Sequence, residues 1–227
     1  MHIKELKIYA KNFSKQLAFY SNTIGLKVME ESENQAVFRI GKSMLKIVKS
    51  DKFKPYHFAI NIPCNKEIEA LKWLQRRVDI LKYGIHEIQD FVYWNAKAIY
   101  FYDEDDNIVE FIARKNLKNS REEEFDVHAL LEISEIGIPV QDIATTFTTL
   151  NTIANLQKYD GGFEKFCAIG DENGLFICIN TLKKDWFPTG DKAFSSEFEI
   201  TFKENGKAYQ LAFRNEKIKA VAENNFE

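Results

Sequence analysis

The chain has few of the residues and patterns that mark several common classes of protein. Its 227 residues include three cysteines, Cys64, Cys167 and Cys178, which form neither a CxxC pair nor a zinc-ligand spacing. We therefore expect reduced thiols, as in a cytoplasmic protein. No apolar run approaches the roughly 20 residues of a membrane span, and the first residues lack the apolar region of a signal peptide. These absences predict a cytoplasmic protein that makes no contact with a membrane.

The charge is also too weakly biased to recruit a polyanion. The net charge is -3 at pH 7, and lysines are scattered along the chain, so we expect no nucleic-acid partner. Aromatic residues are abundant instead, with 19 phenylalanines inside a hydrophobic fraction of 45%. This composition is typical of a globular protein with a large aromatic interior.

The spacing of apolar residues predicts a βαβββ unit at the start of the chain. Residues 3–10 alternate between apolar and polar, as a half-buried strand does. A helix follows and ends before Gly25, and three short strands come next at 26–31, 36–40 and 44–48. A second copy of this order begins with a strand at 56–62 and ends in a hairpin with an acidic, turn-forming loop.

A fainter pair of units follows a polar linker. The segment that begins at Glu135 repeats, in register, the segment that begins at Glu5, but no full helix separates the last strands of the chain. We predict one domain at 1–115, a linker at 116–128 and a degenerate second domain at 129–227. The predicted fold is α+β, with paired βαβββ units forming a cupped mixed sheet.

Two segments carry a resemblance to a known superfamily. Residues 18–26 read AFYSNTIGL, and residues 98–110 read AIYFYDEDDNIVE. They resemble the aFYxxxLGl helix and the YFxDPxGNxxE hairpin of the vicinal-oxygen-chelate superfamily, which includes glyoxalases, bleomycin resistance proteins and extradiol dioxygenases. The hairpin loop departs from that pattern, with Glu104 for Pro and Asp106 for Gly. Because Asp tolerates a left-handed turn better than most residues, we expect the fold to accept this change.

The resemblance implies a divalent metal on the inner face of the cup. The ion would act as a Lewis acid on a substrate that binds it through two oxygens. Carried over residue by residue, the ligand positions fall on Glu5, His57 and Glu110. One histidine with two carboxylates suits Mn, Fe, Ni or Zn.

Lys46 favours an alternative without metal. By the internal repeat, Lys46 takes the last-strand position that Glu110 takes in the second unit, where relatives with four ligands have a carboxylate. An ammonium group there would repel an ion, or would pair with Glu5 or Glu110 and neutralise the site by itself. The cofactor is therefore either a divalent ion or none. In the second half Phe176 takes this position, so we expect no metal site there.

Four residues are candidates for substrate contact: Tyr9, Lys46, Trp94 and Tyr100. Tyr9 lies on the polar face of the first strand, and Trp94 belongs to an aromatic tract before the hairpin. Tyr100 precedes Glu110 by ten residues, like a tyrosine that extradiol dioxygenases place near their substrate.

Three functions remain open at this stage. The first is a metal-dependent lyase, isomerase or dioxygenase acting on a small oxygen-rich molecule. The second is a metal-free protein of the bleomycin-resistance type, which binds or sequesters a small molecule in an aromatic cleft. The third is a regulatory module that uses the fold as a scaffold. The third interpretation includes an interaction module as well as a regulatory one. We expect a small-molecule ligand and a monomer or homodimer, and the sequence leaves open whether the protein is an enzyme.

Overall fold

The computed structural model describes residues 1–221, so the last six residues of the predicted domain at 129–227 lie outside the described part. In the described part, most of the regular secondary structure is β-strand, and three segments are α-helices. Within residues 1–221, no helix is both long and apolar enough to cross a bilayer.

The first half of the chain holds a βαβββ unit and a second unit of the same order in which two short strands replace the first strand after the helix. The second half holds a third unit and a group of three strands without a helix. The α+β fold predicted from the sequence is confirmed. The elements up to residue 114 are β1 (His2–Ala10), α1 (Phe13–Ala18, continued by a π turn at Phe19–Thr23), β2 (Lys27–Glu31), β3 (Gln35–Ile40), β4 (Ser43–Lys49), β5 (His57–Ile62), α2 (Glu67–Leu74), β6 (Ile80–Leu81), β7 (Gln89–Phe91), β8 (Ala96–Tyr102) and β9 (Ile108–Arg114). The elements after it are β10 (Glu132–Val140), α3 (Ile143–Ala154), β11 (Lys158–Gly162), β12 (Phe166–Asp171), β13 (Gly174–Asn180), β14 (Phe198–Glu204), β15 (Lys207–Arg214) and β16 (Lys217–Ala220).

The strands form two sheets, and the pairing of units differs from the predicted one. The first sheet has the order β16-β15-β14-β1-β4-β3-β2, and the second has the order β11-β12-β13-β10-β5-β9-β8-β6, with β7 on β8. The first unit therefore pairs with the last strands, and the second unit pairs with the third. Each sheet takes strands from both sides of residues 116–128. The cup expected from the first two units alone is not formed, because β1 joins β14 rather than β5.

The apolar faces of the two sheets meet in one large core. Leu6 of β1 and Ile136 of β10 are both fully buried in it. Phe176 of the second sheet packs edge-on against Phe202 of the first sheet, with ring centroids 5.8 Å apart. The burial of these apolar faces is the main term that stabilises such a fold. The opposite face of each sheet is then left to line a cup or to face solvent. Phe176 belongs to this core and not to a cup, which corrects its predicted position.

The two segments that carry the resemblance contact each other. The hydroxyl of Tyr20 donates to Asp103 Oδ2 at 2.6 Å, in a fully buried position. The carboxylate of Asp105 accepts from the backbone N–H groups of Lys11 and Asn12. Asp106 has a φ of 58°, the left-handed conformation for which glycine is usually used. The acidic loop thus fixes the second sheet to the start of α1, as the fold requires.

Candidate metal centre

The inner face of the second sheet lines a cavity of about 670 Å³. Strands β5, β8, β9, β10 and β13 form its floor, because the residues of one parity on each strand point to the same side. Two segments, 83–94 and 184–190, form its rim. The lining residues include His57, Tyr83, Phe91, Trp94, Tyr100, Glu110, Ile112, Glu135, Asp160, Phe166, Ile177, Ile179, Lys184, Trp186 and Phe187.

Three ionisable side chains meet on the floor of the cavity. His57, Glu110 and Glu135 each offer one ligand atom, and these atoms lie within 4.8 Å of one another. All three side chains are almost fully buried. The strand register brings them together, since Ala59 lies opposite Glu110 on one side and opposite Glu135 on the other. Buried carboxylates at this spacing are costly unless a cation or hydrogen-bond donors compensate them.

The imidazole of His57 is oriented with one nitrogen toward the carboxylates. Its Nδ1 lies 3.2 Å from the carbonyl oxygen of Ile108, and its Nε2 lies 3.4 Å from Glu110 Oε2. An Nδ1–H that donates to the carbonyl leaves Nε2 to bind a proton or a metal. Burial lowers the pKa of His57, but the hydrogen bond and charge of Glu110, with the charge of Glu135, outweigh burial and raise the pKa above its ordinary value.

Glu135 is paired with a fully buried arginine. Arg114 Nη2 donates to Glu135 Oε1, and Arg114 Nε donates to Asn61 Oδ1 at 3.2 Å. Among residues 1–221, Glu135 Oε2 has no hydrogen-bond donor, so it can face the other two groups. Burial raises the pKa of the Glu135 carboxyl, as does the charge of Glu110, and the guanidinium of Arg114 acts in the opposite direction.

Aromatic rings cover the cluster. The ring of Trp186 lies 4.9 Å from that of His57, and the ring of Tyr100 lies 6.2 Å from it. A Cβ at Gly137 would stand 2.7 Å from the Trp186 indole, so the close approach of this ring depends on glycine. Tyr100 lies opposite Glu110 in the strand register, and burial, followed by the charges of Glu110 and Glu135, raises its pKa well above the ordinary value.

Comparisons with known proteins agree with this architecture. No model of a known protein family matches the chain. A curated relative, catechol-2,3-dioxygenase of Bacillus subtilis (strain 168), is 28% identical in an alignment of length 153 that covers 58% of this chain. The structure of a proposed dioxygenase from Bacillus subtilis subsp. subtilis str. 168 superposes with a TM-score of 0.59 at 15% identity, covering 80% of this chain. A glyoxalase I mutant from Zea mays superposes with a TM-score of 0.54 at 13% identity, covering 81% of this chain and 69% of its own.

The chain has the fold of the vicinal-oxygen-chelate superfamily. The match spans 51% of the length of the curated relative and 64% of the Bacillus subtilis structure.

The superfamily fold brings some of the predicted site residues together and separates others. His57 and Glu110 meet as predicted, and Trp94 and Tyr100 line the same cavity. The other three residues, Glu5, Tyr9 and Lys46, lie on β1 and β4 of the first sheet and do not line that cavity. The predicted convergence of Glu5 and Lys46 with His57 is wrong, because β1 and β4 belong to a different sheet from β5.

Glu135 occupies the position beside His57 and Glu110 that was predicted for Glu5. The two glutamates were recognised as repeats, and the registers agree: Glu5 lies opposite Met44, His57 opposite Ile108, and Glu135 opposite Leu175. The sequence analysis expected no metal site in the second half, whereas the structure places Glu135 of that half beside His57 and Glu110. Glu135 reaches this position because β10 pairs with β5. The repeat between the segments that begin at Glu5 and Glu135 does not indicate which of the two strands pairs with β5.

The same register identifies the positions equivalent to Glu110. They are Lys46 in the first unit, as predicted, and Ile177 in the third, instead of Phe176. Sequence reasoning also missed Arg114. It lies on β9 four residues after Glu110, so the alternation of the strand indicates that the two side chains share a face.

Proposed function

We propose that the protein binds a divalent metal through His57, Glu110 and Glu135 and acts on a small oxygen-rich molecule as a lyase, isomerase or dioxygenase. The observation that carries the proposal is the convergence of one imidazole nitrogen and two carboxylates within 4.8 Å. The hydrogen bond from His57 Nδ1 to the Ile108 carbonyl supports it, because metal-binding histidines are commonly oriented in this way. The donor set suits Mn, Fe, Ni or Zn.

A bound ion would supply a Lewis acid for an oxygen of the substrate. The rest of the chemistry belongs to the chain itself. The volume of the cavity lies in the range of small-molecule sites, roughly 300–1,000 Å³, and the rings of Trp186 and Phe187 can pack on the ligand and exclude water. The pKa of Tyr100 lies above neutral even without a shift, and burial raises it further, so its hydroxyl is protonated and can donate to a substrate oxygen. The name of the Bacillus subtilis relative supports a dioxygenase among the three reaction types.

A second candidate function is the binding of a small molecule without metal. One specific observation favours it: the cluster can be neutral with no ion. Protonated His57 pairs with Glu110, and Arg114 pairs with Glu135, so the two carboxylates face two cations. Such a compensated cluster would orient a polar ligand inside an aromatic cavity, as in a sequestering protein.

Calorimetric titration of protein purified without chelator or affinity tag separates the two candidates. The metal-dependent function predicts one site per chain for at least one of Mn, Fe, Ni and Zn. His57→Ala and Glu110→Gln should each weaken that site by about tenfold or more. Glu5→Gln is the matched control, because it changes the equivalent strand position on the other sheet and should leave the affinity unchanged. Weak binding that is equal in all four proteins would contradict the metal site and favour the metal-free binder.

A further inference from the structure

Arg114 is the most deeply buried cation in the second sheet. Its side chain has no exposed surface, and its one ionic partner within residues 1–221 is Glu135. Asn61 accepts from its Nε at 3.2 Å, and the ring of Trp94 lies 5.4 Å from the guanidinium carbon. An arginine cannot lose its proton to escape the cost of burial. Its charge is therefore a permanent part of the electrostatics of the candidate metal centre.

The charge of Arg114 matters because the ligand set contains an additional carboxylate. A divalent ion held by two histidines and one carboxylate carries one net positive charge. Here Glu135 stands with His57 and Glu110, so the ion and its three ligands alone would be neutral. The guanidinium of Arg114 restores one positive charge to the group. Other charged residues of the cavity, such as Asp160 and Lys184, are exposed at the rim, where solvent screens them.

We propose that Arg114 is a positioning residue that holds Glu135 by one oxygen and offsets its charge, so that the metal-loaded site prefers ligands that chelate through two oxygens as monoanions. The inference rests on the proposed metal-dependent function and gives its substrate class. Arg114 engages Oε1 of Glu135, which leaves Oε2 for the ion. A monoanionic chelator would then bring the buried group to neutrality, the state that a low-dielectric environment favours.

Tropolone is a suitable probe, because it is a small planar molecule that chelates metals through two oxygens as a monoanion and absorbs in the near ultraviolet. Its affinity is measured for Ni²⁺-saturated protein in four forms: wild type, Arg114→Met, Glu135→His, and the double variant with both changes. The net charge of the site falls by one unit in Arg114→Met and rises by one in Glu135→His. The double variant has the wild-type charge with two histidines and one carboxylate.

The expected order of affinity follows the charge. Arg114→Met should bind tropolone about tenfold more weakly than wild type, and Glu135→His should bind it more tightly. The double variant should return to about the wild-type value, which a purely structural role of Arg114 does not predict. Arg114→Lys should keep most of the affinity, because it retains the charge. If Arg114→Met does not fold, the comparison of Glu135→His with the double variant tests the same unit of charge.

Two results would overturn the inference while leaving the metal site in place. One is an Arg114→Met protein that binds both Ni²⁺ and tropolone as the wild type does. The other is a double variant that binds tropolone as weakly as Arg114→Met alone. Wild-type protein that takes up none of the four metals would instead overturn the proposed function, and this inference with it.

Discussion

Replacement of Glu135 by glutamine should destabilise the metal-free protein strongly. Arg114 has no exposed surface, and Glu135 is its one ionic partner in the described part of the chain. Glutamine keeps the shape of the side chain but removes the charge, so the guanidinium stays buried without a counter-charge. Arg114→Met should cost less, because the Glu135 carboxyl that remains can bind a proton, whereas an arginine cannot release one.

The magnitude follows from what is known of buried ion pairs. Removing one partner of such a pair costs about 3–5 kcal/mol, a large part of the 5–15 kcal/mol that stabilises a typical domain. At about 2–4 °C per kcal/mol for a chain of this size, the midpoint of thermal unfolding should fall by roughly 6–20 °C. Replacing both partners, as in Arg114→Met with Glu135→Leu, should recover most of the loss, because neither charge is then left buried.

The assay is urea unfolding followed by circular dichroism at a pH well above about 7, the value to which burial and the charge of Glu110 raise the pKa of Glu135, so that the carboxylate is ionised. A chelator is present so that adventitious metal does not stabilise the native state. Glu199→Gln is a matched control. Like Glu135, Glu199 forms ion pairs, but it lies on the partly exposed face of the first sheet. Its Oε1 is 3.1 Å from Lys7 Nζ and 2.6 Å from Arg214 Nη2. Its loss should cost no more than about 1 kcal/mol. Equal and small effects of the two substitutions would refute the view that the Arg114 pair is desolvated.

Three further predictions concern the candidate metal centre. Ile177→Glu adds a third carboxylate, and so a fourth candidate ligand, at the strand position of the third unit that is equivalent to Glu110. It should raise Ni²⁺ affinity by about tenfold, whereas Lys46→Glu, the equivalent change on the first sheet, should not; calorimetry on both variants tests the register. Metal affinity should fall as the pH drops below the raised pKa of His57, by up to about tenfold per pH unit, because the proton competes with the metal for Nε2. Titrations between about pH 5.5 and about 8, in buffers of different ionisation enthalpy, would detect the proton that the metal releases. An affinity that does not depend on pH would exclude His57 as a ligand. Gly137→Ala should displace the Trp186 indole, because the added Cβ would stand too close to it. The fluorescence of Trp186 is measured in a Trp73→Phe, Trp94→Phe background, where it is the one tryptophan left, and its spectrum should shift. An unchanged spectrum would contradict the close contact.

Much of the local structure could be predicted from the sequence because it depends on neighbours in the chain. The alternation of residues 3–10 predicts β1, and the acidic loop after β8 predicts the turn in which Asp106 adopts a left-handed conformation. His57 and Glu110 could be paired for a related reason. The resemblance to the superfamily assigned both as ligands, and they belong to one unit whose first and last strands are adjacent and parallel in the structure, so both side chains lie on the same face.

The third ligand position was decided by the tertiary structure. Glu5 and Glu135 stand at the same place in their repeats, and both are followed by alternating apolar residues. The residues around each glutamate do not distinguish the two. The alternation of apolar and polar residues indicates which face of a strand is buried, but it does not indicate which strand pairs along its edge. That choice depends on packing between residues far apart in the chain, such as Phe176 and Phe202. The sequence by itself determined the units, their strands and two of the three converging groups; the pairing of β5 with β10, which only the packed sheets establish, selected Glu135 and with it the buried Arg114.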